Sequence, residues 1–406
     1  MRLDPLKHPW MAAPETRAVL AALGEARFVG GAVRNALLGK AVDDIDIATP
    51  LAPEEVERRL KRAGLAAAPT GLAHGTITAI SSGKPFEVTT LRRDVSTDGR
   101  RATVAFTTDW KEDAGRRDFT FNALYAAPDG EISDYFGGLD DLKAGRVRFI
   151  GDAALRIRED YLRILRLFRF HAWYGRGEID AVALRAAAEG KSGIAGLSGE
   201  RIQKEMLKLL AAENPIPALR AMAASGILAE VLPGKLDFAR LERLVAIDAD
   251  NFFAPDSLLR LGALLDDDAP SVASRWKLSN ADRFRLTDLV GAKEKVVSYL
   301  SQREVRRFLY RLGHRRFRDR VLLRWAGDAK LSNAIQWRAL LAVADAWTRP
   351  VLPLTGSDVM KAGVPEGPLI GRVLGEVEDW WVDSDFIDDE FSIAERLKAV
   401  VQGIAR

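Results

Sequence analysis

Gly30-Gly31-Ala32-Val33-Arg34-Asn35-Ala36-Leu37-Leu38-Gly39-Lys40-Ala41-Val42-Asp43-Asp44-Ile45-Asp46-Ile47-Ala48-Thr49 decides how the N-terminal part of this chain is read. A glycine pair opens a short helix, a turn follows, and carboxylates then alternate along a strand. Residues i and i+2 of a strand share a face. Asp44 and Asp46 therefore stand side by side, Ile45 and Ile47 face the core, and Asp43 points away. Two close like charges are costly unless a cation shares them. Hard oxygen ligands beside a glycine turn suit magnesium and a nucleotide phosphate. An Asp-x-Asp pair alone is equally compatible with a solvated strand end, so the rest of the chain must decide.

The chain has 406 residues, enough for two or three domains. Its 48% hydrophobic and 29% charged residues are ordinary for a globular protein. No run is long and apolar enough to cross a membrane, and Met1-Arg2-Leu3-Asp4-Pro5 does not start a signal peptide. With no cysteine, disulfides and thiolate metal sites are excluded, which fits a cytoplasmic location. Only four histidines are present, and His74-Gly75-Thr76 offers no metal cluster of the His-Asp phosphohydrolase kind.

Residues 1–150 mix strand and helix signals. Arg27-Phe28-Val29 reads as a short strand entering the glycine turn, and Pro53 to Leu65 as a helix. Gly75–Ile80 and Phe86–Leu91 read as strands around a Ser-Ser-Gly turn. Residues 92–105 are polar and Arg-rich, with Asp98-Gly99 as a turn, and predict a mobile loop. Val147–Ile150 reads as a last strand. From residue 153 onward helical periodicity dominates. Leu155 to Trp173 reads as one amphipathic helix, Ser198 caps a helix through Leu210, and others follow at 215–230, 257–266, 280–290, 303–312 and 334–347.

Two further clusters carry chemistry. Arg116-Arg117-Asp118-Phe119-Thr120-Phe121-Asn122-Ala123 packs two arginines, an Asp and an Asn beside aromatics, and paired arginines favour phosphate. In Arg158–Phe170, Asp160, Arg163, Arg166 and Arg169 recur every three residues, a row of roughly 13–14 Å along a helix. Three arginines in register repel one another, and an anionic ligand relieves that. An Asp accepts where an Arg donates, so Asp160 and Arg163 together match the hydrogen-bonding edge of a nucleobase.

Taken in order, Gly30-Gly31-Ala32-Val33-Arg34, Asp44-Ile45-Asp46, Arg116 to Ala123, Glu159-Asp160-Tyr161-Leu162-Arg163 and Leu197-Ser198-Gly199-Glu200-Arg201-Ile202 resemble the class II (bacterial-type) CCA tRNA nucleotidyltransferases and the related bacterial poly(A) polymerases. The resemblance is strong over 27–205 and weaker through Leu354–Asp358 and Gly363–Pro368. It implies an α+β chain: a polymerase-β-like nucleotidyltransferase head (1–150), then an all-helical neck (151–213, base recognition), body (214–330, RNA binding) and tail (331–406, tRNA binding). It implies that Asp44 and Asp46 are catalytic and bind two Mg2+ ions, with Glu87 a candidate third ligand. Nucleotide contacts fall on Gly30, Gly31, Arg34, Arg117, Asp118, Asn122, Asp160, Arg163, Arg166 and Arg169, of which Asp160 and Arg163 match the base-reading pair. Glu200 and Arg201 match a motif of structural type. Asn35 stands where the family commonly has Asp.

Residues 303–320 hold eight arginines against two acids with aromatics between, a composition suited to an RNA backbone. Arg306, Arg307, Arg311, Arg315 and Arg316 are the RNA-binding candidates. Residues 376–390 hold eight acids and no base, and are expected to face away from RNA. The expected partners are tRNA, CTP and ATP. Four readings remain open: CCA addition, ATP-only poly(A) synthesis, CC addition, and a non-catalytic RNA-binding relative. The polar stretch at 92–105 favours the first, because the family uses a flexible loop there in changing from C to A addition. The intact Asp pair speaks against the last.

Overall fold

The run leading into the glycine pair forms β1 (Arg27–Val29), and the Asp pair leads into β2 (Asp46–Thr49). In this computed structural model, which describes residues 1–71, 75–97, 102–387 and 389–404, these two strands lie at the middle of a seven-stranded sheet. The others are β3 (Ala66–Gly71), β4 (Thr76–Ser81), β5 (Lys84–Thr90), β8 (Leu124–Ala126) and β9 (Ile132–Asp134). A separate hairpin pairs β6 (Arg92–Thr97) with β7 (Ala102–Phe106). The sheet order is β3-β4-β5-β2-β1-β8-β9; β2 and β5 run parallel and every other adjacent pair antiparallel.

Register explains the placement of the acids. Because β1 and β2 are antiparallel, with Phe28 opposite Ile47, the end of β1 lies beside the start of β2. Gly30 and Asp46 therefore lie at the same end of these two central strands. The parallel β2–β5 pair sets Asp46 opposite Glu87. A parallel pair needs a crossover, and the chain between 50 and 83 supplies it through the Pro53–Arg62 helix. Proline opens that helix, Glu54 and Glu55 sit in its first turn, and Val56 and Leu60 are buried.

The chain divides into two compact units, residues 1–234 with 271–279, and 235–270 with 280–406. The first carries the sheet and the helices Ala153–Glu159, Leu162–Tyr174 and Gly199–Leu210; the described part of the second is helical except for an isolated Leu236–Leu265 bridge. This is the expected α+β chain with a mixed-sheet head followed by helices.

Three local expectations are corrected and one is refined. Asp44 precedes the strand, although the burial alternation holds, with Asp44 exposed, Ile45 and Ile47 buried and Asp46 half-buried. Within the 92–105 stretch, expected as a mobile loop, Arg92–Thr97 pairs as β6 with residues 102–105 of β7; the Asp98-Gly99 turn lies outside the described residues. Val147–Ile150 is not a strand: Phe149 makes one bridge to Phe119, and the Thr120 and Ile150 amides bond to Arg148 and Asp118. Leu155–Trp173 is two helices, broken at Asp160, which is extended (φ −158°, ψ 104°) and accepts from the Leu162 amide at 3.1 Å. An Asp that bonds the backbone two residues on offers the chain a turn in place of another helical bond.

Candidate active site

A cleft of about 660 Å³ in the first unit gathers eleven of the site residues that the sequence singles out: Gly30, Gly31, Arg34 and Asp46 from the opening stretch, Arg117, Asp118 and Asn122 from the second cluster, and Asp160, Arg163, Arg166 and Arg169 from the third. Asp44 and Glu87 do not line it. Nine Arg and Lys side chains face three Asp around its wall, so the cleft favours a polyanion.

Its floor is a continuous polar chain. Arg34 donates to the Asn122 side-chain oxygen at 2.6 Å, to Asn35 at 2.9 Å and to the Tyr174 hydroxyl at 2.9 Å, and stacks over the Tyr174 ring. Asn122 in turn donates to Asp118 at 3.0 Å, and Asp118 accepts from Arg166 at 2.7 Å. Arg166 and Arg169 share Glu205. Burial pushes the Asp118 carboxyl up, but Arg166, Asn122 and the Phe119 amide outweigh it and hold the group at about 2. Beneath this chain Phe119 packs on Phe149 (4.7 Å between rings) and on Phe170 (5.3 Å), fixing the Leu162–Tyr174 helix to the sheet. Gly30 has φ +67°, which a residue with a Cβ adopts only with strain, and it brings the backbone beside Arg117 and Asn122.

A second anchor was missed from sequence. Asp113 is buried and accepts from Arg116 at 2.9 Å, Arg117 at 3.2 Å, the Tyr125 hydroxyl at 2.6 Å and the Arg92 amide at 3.1 Å. Burial raises its carboxyl, yet Arg117 and Arg116 with Tyr125 bring it to about 2. The signal was present: Asp113 precedes Arg116 by three residues and Arg117 by four, the spacing of helical neighbours.

The base-reading candidates are held apart from each other. Arg163 pairs with Glu159 and donates to the Arg156 carbonyl at 2.8 Å. Asp160 is bonded by Arg201 at 2.7 Å, so Arg201 is a cleft residue, whereas Glu200 is exposed and pairs with Lys277.

At the metal candidates, burial pushes the Asp46 carboxyl up, Glu87 and then Asp44 push it further, and Arg117 opposes them. A carboxyl under that pressure is relieved by a cation, and Asp46 with Asp44 offers the carboxylate oxygens that a hard divalent ion takes. Among the described residues, no three acidic or imidazole side chains are grouped closely enough to hold a metal together.

In the second unit the basic run is largely neutralised from within. Arg306 bonds Asp385 at 2.8 Å, Arg307 pairs with Asp383 at 3.0 Å, Arg311 with Asp379 at 3.1 Å, and Arg316 bonds Asp288 at 3.1 Å. Asp379, Asp383 and Asp385 of the acidic stretch are thus the counter-charge of Arg311, Arg307 and Arg306. Of the five candidates Arg315 alone is exposed with no ion-pair partner among the described residues.

The family model described as "Poly A polymerase head domain" matches residues 26–148, and that described as "Probable RNA and SrmB- binding site of polymerase A" matches 178–237. The chain is 36% identical to the Danio rerio "CCA tRNA nucleotidyltransferase 1, mitochondrial" over 377 residues, 89% of this chain and 84% of that protein. It is 32% identical to the Levilactobacillus brevis "CCA-adding enzyme" over 389 residues, 93% and 95% of the two chains. Its fold is similar to that of the Bacillus stearothermophilus CCA-adding enzyme in complex with CTP, with a TM-score of 0.76 and 27% identity over 97% of this chain and 99% of that one. With relatives at 32% and 36% identity matched over most of their length, the chain belongs to the family of CCA-adding tRNA nucleotidyltransferases.

Proposed function

We infer that this protein transfers CMP and then AMP from CTP and ATP to the 3′ end of tRNA without a template strand. The observation that carries this is one basic cleft holding an acid edge, a run of arginines, and an Asp–Arg pair with opposite hydrogen-bonding sense. The tRNA 3′-hydroxyl attacks the α-phosphorus and gives up its proton to solvent, a new P–O bond forms, the bond from the α-phosphorus to the bridging α–β oxygen breaks, and pyrophosphate leaves opposite the attacking oxygen. Arg117, fixed by Asp113, and Arg166, fixed by Asp118, face the triphosphate and offset its charge. Gly30 and Gly31 leave the wall free of side chains there. Arg34 acts chiefly by ordering Asn122 and Tyr174, since its nitrogens are already engaged.

Asp160 offers an acceptor and Arg163 a donor to the base edge; Arg201 orients the Asp160 carboxylate. Asp46 and Asp44, with Glu87 beside them, are the groups to hold a divalent cation, which in this family supports the transfer. Magnesium, as two ions, is our assignment: it would draw electron density from the phosphate and lower the pKa of the attacking hydroxyl. We assign the head to 1–150, the neck to 151–213, the body to 214–330 and the tail to 331–406, in a cytoplasmic enzyme. Among the described residues no helix is long and apolar enough to cross a membrane.

The test uses tRNA transcripts ending before CCA, after C and after CC, incubated with CTP, ATP or both. Ordered addition that stops after A is the expected result. Open-ended addition of A to unrelated RNA would make it a poly(A) polymerase, and arrest after CC a CC-adding enzyme.

A further inference from the structure

The sequence points to a basic surface on the second unit, but four of its five candidate arginines are spent on internal pairs. What remains unspent surrounds the turn Asn251-Phe252-Phe253. Phe252 is the most exposed of the large hydrophobic side chains described, at 96%, and its φ of +56° lies in the left-handed region that disfavours a residue with a Cβ. Exposing the ring and straining the backbone both work against folding. The turn is nonetheless firmly held. Asn251 donates to the Ile247 carbonyl at 2.7 Å and accepts from Arg338 at 2.6 Å. The Phe253 amide bonds to the Asp248 carbonyl at 2.9 Å, and the Arg318 guanidinium lies 4.6 Å over the Phe253 ring. An outlier that the surroundings hold in place at a cost is a pointer to function.

The charges nearby favour an anionic partner. Asp248 is bonded to Arg260, Asp256 to Arg285 with Arg315 near enough to act on it, and Asp345 to His314. Asp250 is exposed on the preceding helix. Against these, Arg315 makes no ion pair among the described residues and lies one turn before Arg318 on the same helix face, and Arg338 keeps its terminal nitrogens free of any bond among the described residues. A lone exposed ring in a turn whose two flanking residues are held by Arg338 and Arg318 is not the contiguous apolar patch of a protein interface. It is the arrangement that stacks an unpaired base and takes the phosphates beside it.

We propose that Phe252 is a stacking platform for an unpaired nucleobase of the bound tRNA, with Arg315 and Arg338 on the adjoining phosphates. This rests on the reading that tRNA is the substrate. Phe252→Ala, Phe252→Trp, Phe252→Gly, Arg315→Ala and Arg338→Ala are compared in the full chain by filter binding to a tRNA transcript lacking CCA. Phe252→Ala should weaken binding about ten-fold, and Phe252→Trp should restore it. Phe252→Gly relieves the strain, so it should bind as weakly as alanine while its Tm stays level or rises. Each arginine variant should lower the slope of log affinity against log salt by about 1, whereas Phe252→Ala leaves that slope alone. Native affinity in Phe252→Ala overturns the proposal and leaves a protein-docking role for the ring. CCA addition by the unaltered protein is measured in parallel: its absence would defeat the functional reading itself, and its presence with native affinity in Phe252→Ala defeats only this inference.

Discussion

Replacing Asp113 by asparagine removes one charge without removing volume, and the structure sets the size of the effect. The carboxylate is buried and serves four donors: Arg116, Arg117, the Tyr125 hydroxyl and the Arg92 amide. Burial alone raises its pKa, and the two arginines and Tyr125 bring it from 3.8 to about 2. At 1.36 kcal/mol per unit that shift corresponds to about 2.5 kcal/mol of native-state preference for the ionised form. The side-chain amide introduced by Asp113→Asn would also turn donors toward arginine, so a loss of about 2–4 kcal/mol is expected, near the cost of breaking a buried pair. Arg117 would be freed to swing out of the cleft, raising KM for CTP and ATP about ten-fold, the 1.4 kcal/mol scale of one charge-assisted hydrogen bond. Urea unfolding and steady-state incorporation of CMP measure the two effects. Stability within about 0.5 kcal/mol of the natural chain, with unchanged KM, would refute the role of Asp113 as an anchor. The same depressed pKa values predict an acid limit. Asp113 and Asp118 have folded pKa values below their unfolded ones, so their contribution is complete above about pH 4 and is lost as pH falls toward 2.

Asp46→Asn removes the half-buried carboxyl opposite Glu87 and is expected to abolish nucleotide transfer while tRNA binding persists; filter binding and primer extension separate these, and residual transfer above about a hundredth of the original would count against a metal-binding role. Arg163→Ala should blur the choice between CTP and ATP more than it slows the reaction, which competition between the two nucleotides measures; unchanged selectivity removes it from base reading. Arg306→Ala with Asp385→Ala forms a double-mutant cycle whose coupling should be about 1 kcal/mol, because the pair is partly exposed, and neither change should weaken tRNA binding as Arg315→Ala does.

The strands around the acids were legible because Arg27–Val29, Ile45–Ile47 and Phe86–Val88 alternate or run apolar between glycine-bearing turns. β3 was not, since Ala66-Ala67-Ala68-Pro69 lacks β-branched residues; it forms as an edge strand, and its register shifts across Pro69. The cleft residues were legible as ordered clusters, but their partners were not. Glu205 reaches Arg169 across 36 residues and Arg201 reaches Asp160 across 41, separations that no local pattern reports. The helix break at Asp160 hid behind a three-residue charge rhythm, which continues through a turn as readily as through a helix. Counting charge in separate windows hid the pairing between them: arginines of the basic run meet carboxylates of the acidic run in a partly exposed seam of ion pairs.

That seam has a consequence for how firmly RNA is held. Four arginines, Arg303, Arg306, Arg307 and Arg311, bond to carboxylates or a carbonyl between Asp379 and Asp385. The chain thereby carries its own internal polyanion, and each contact a nucleic acid made there would first have to displace a tethered competitor.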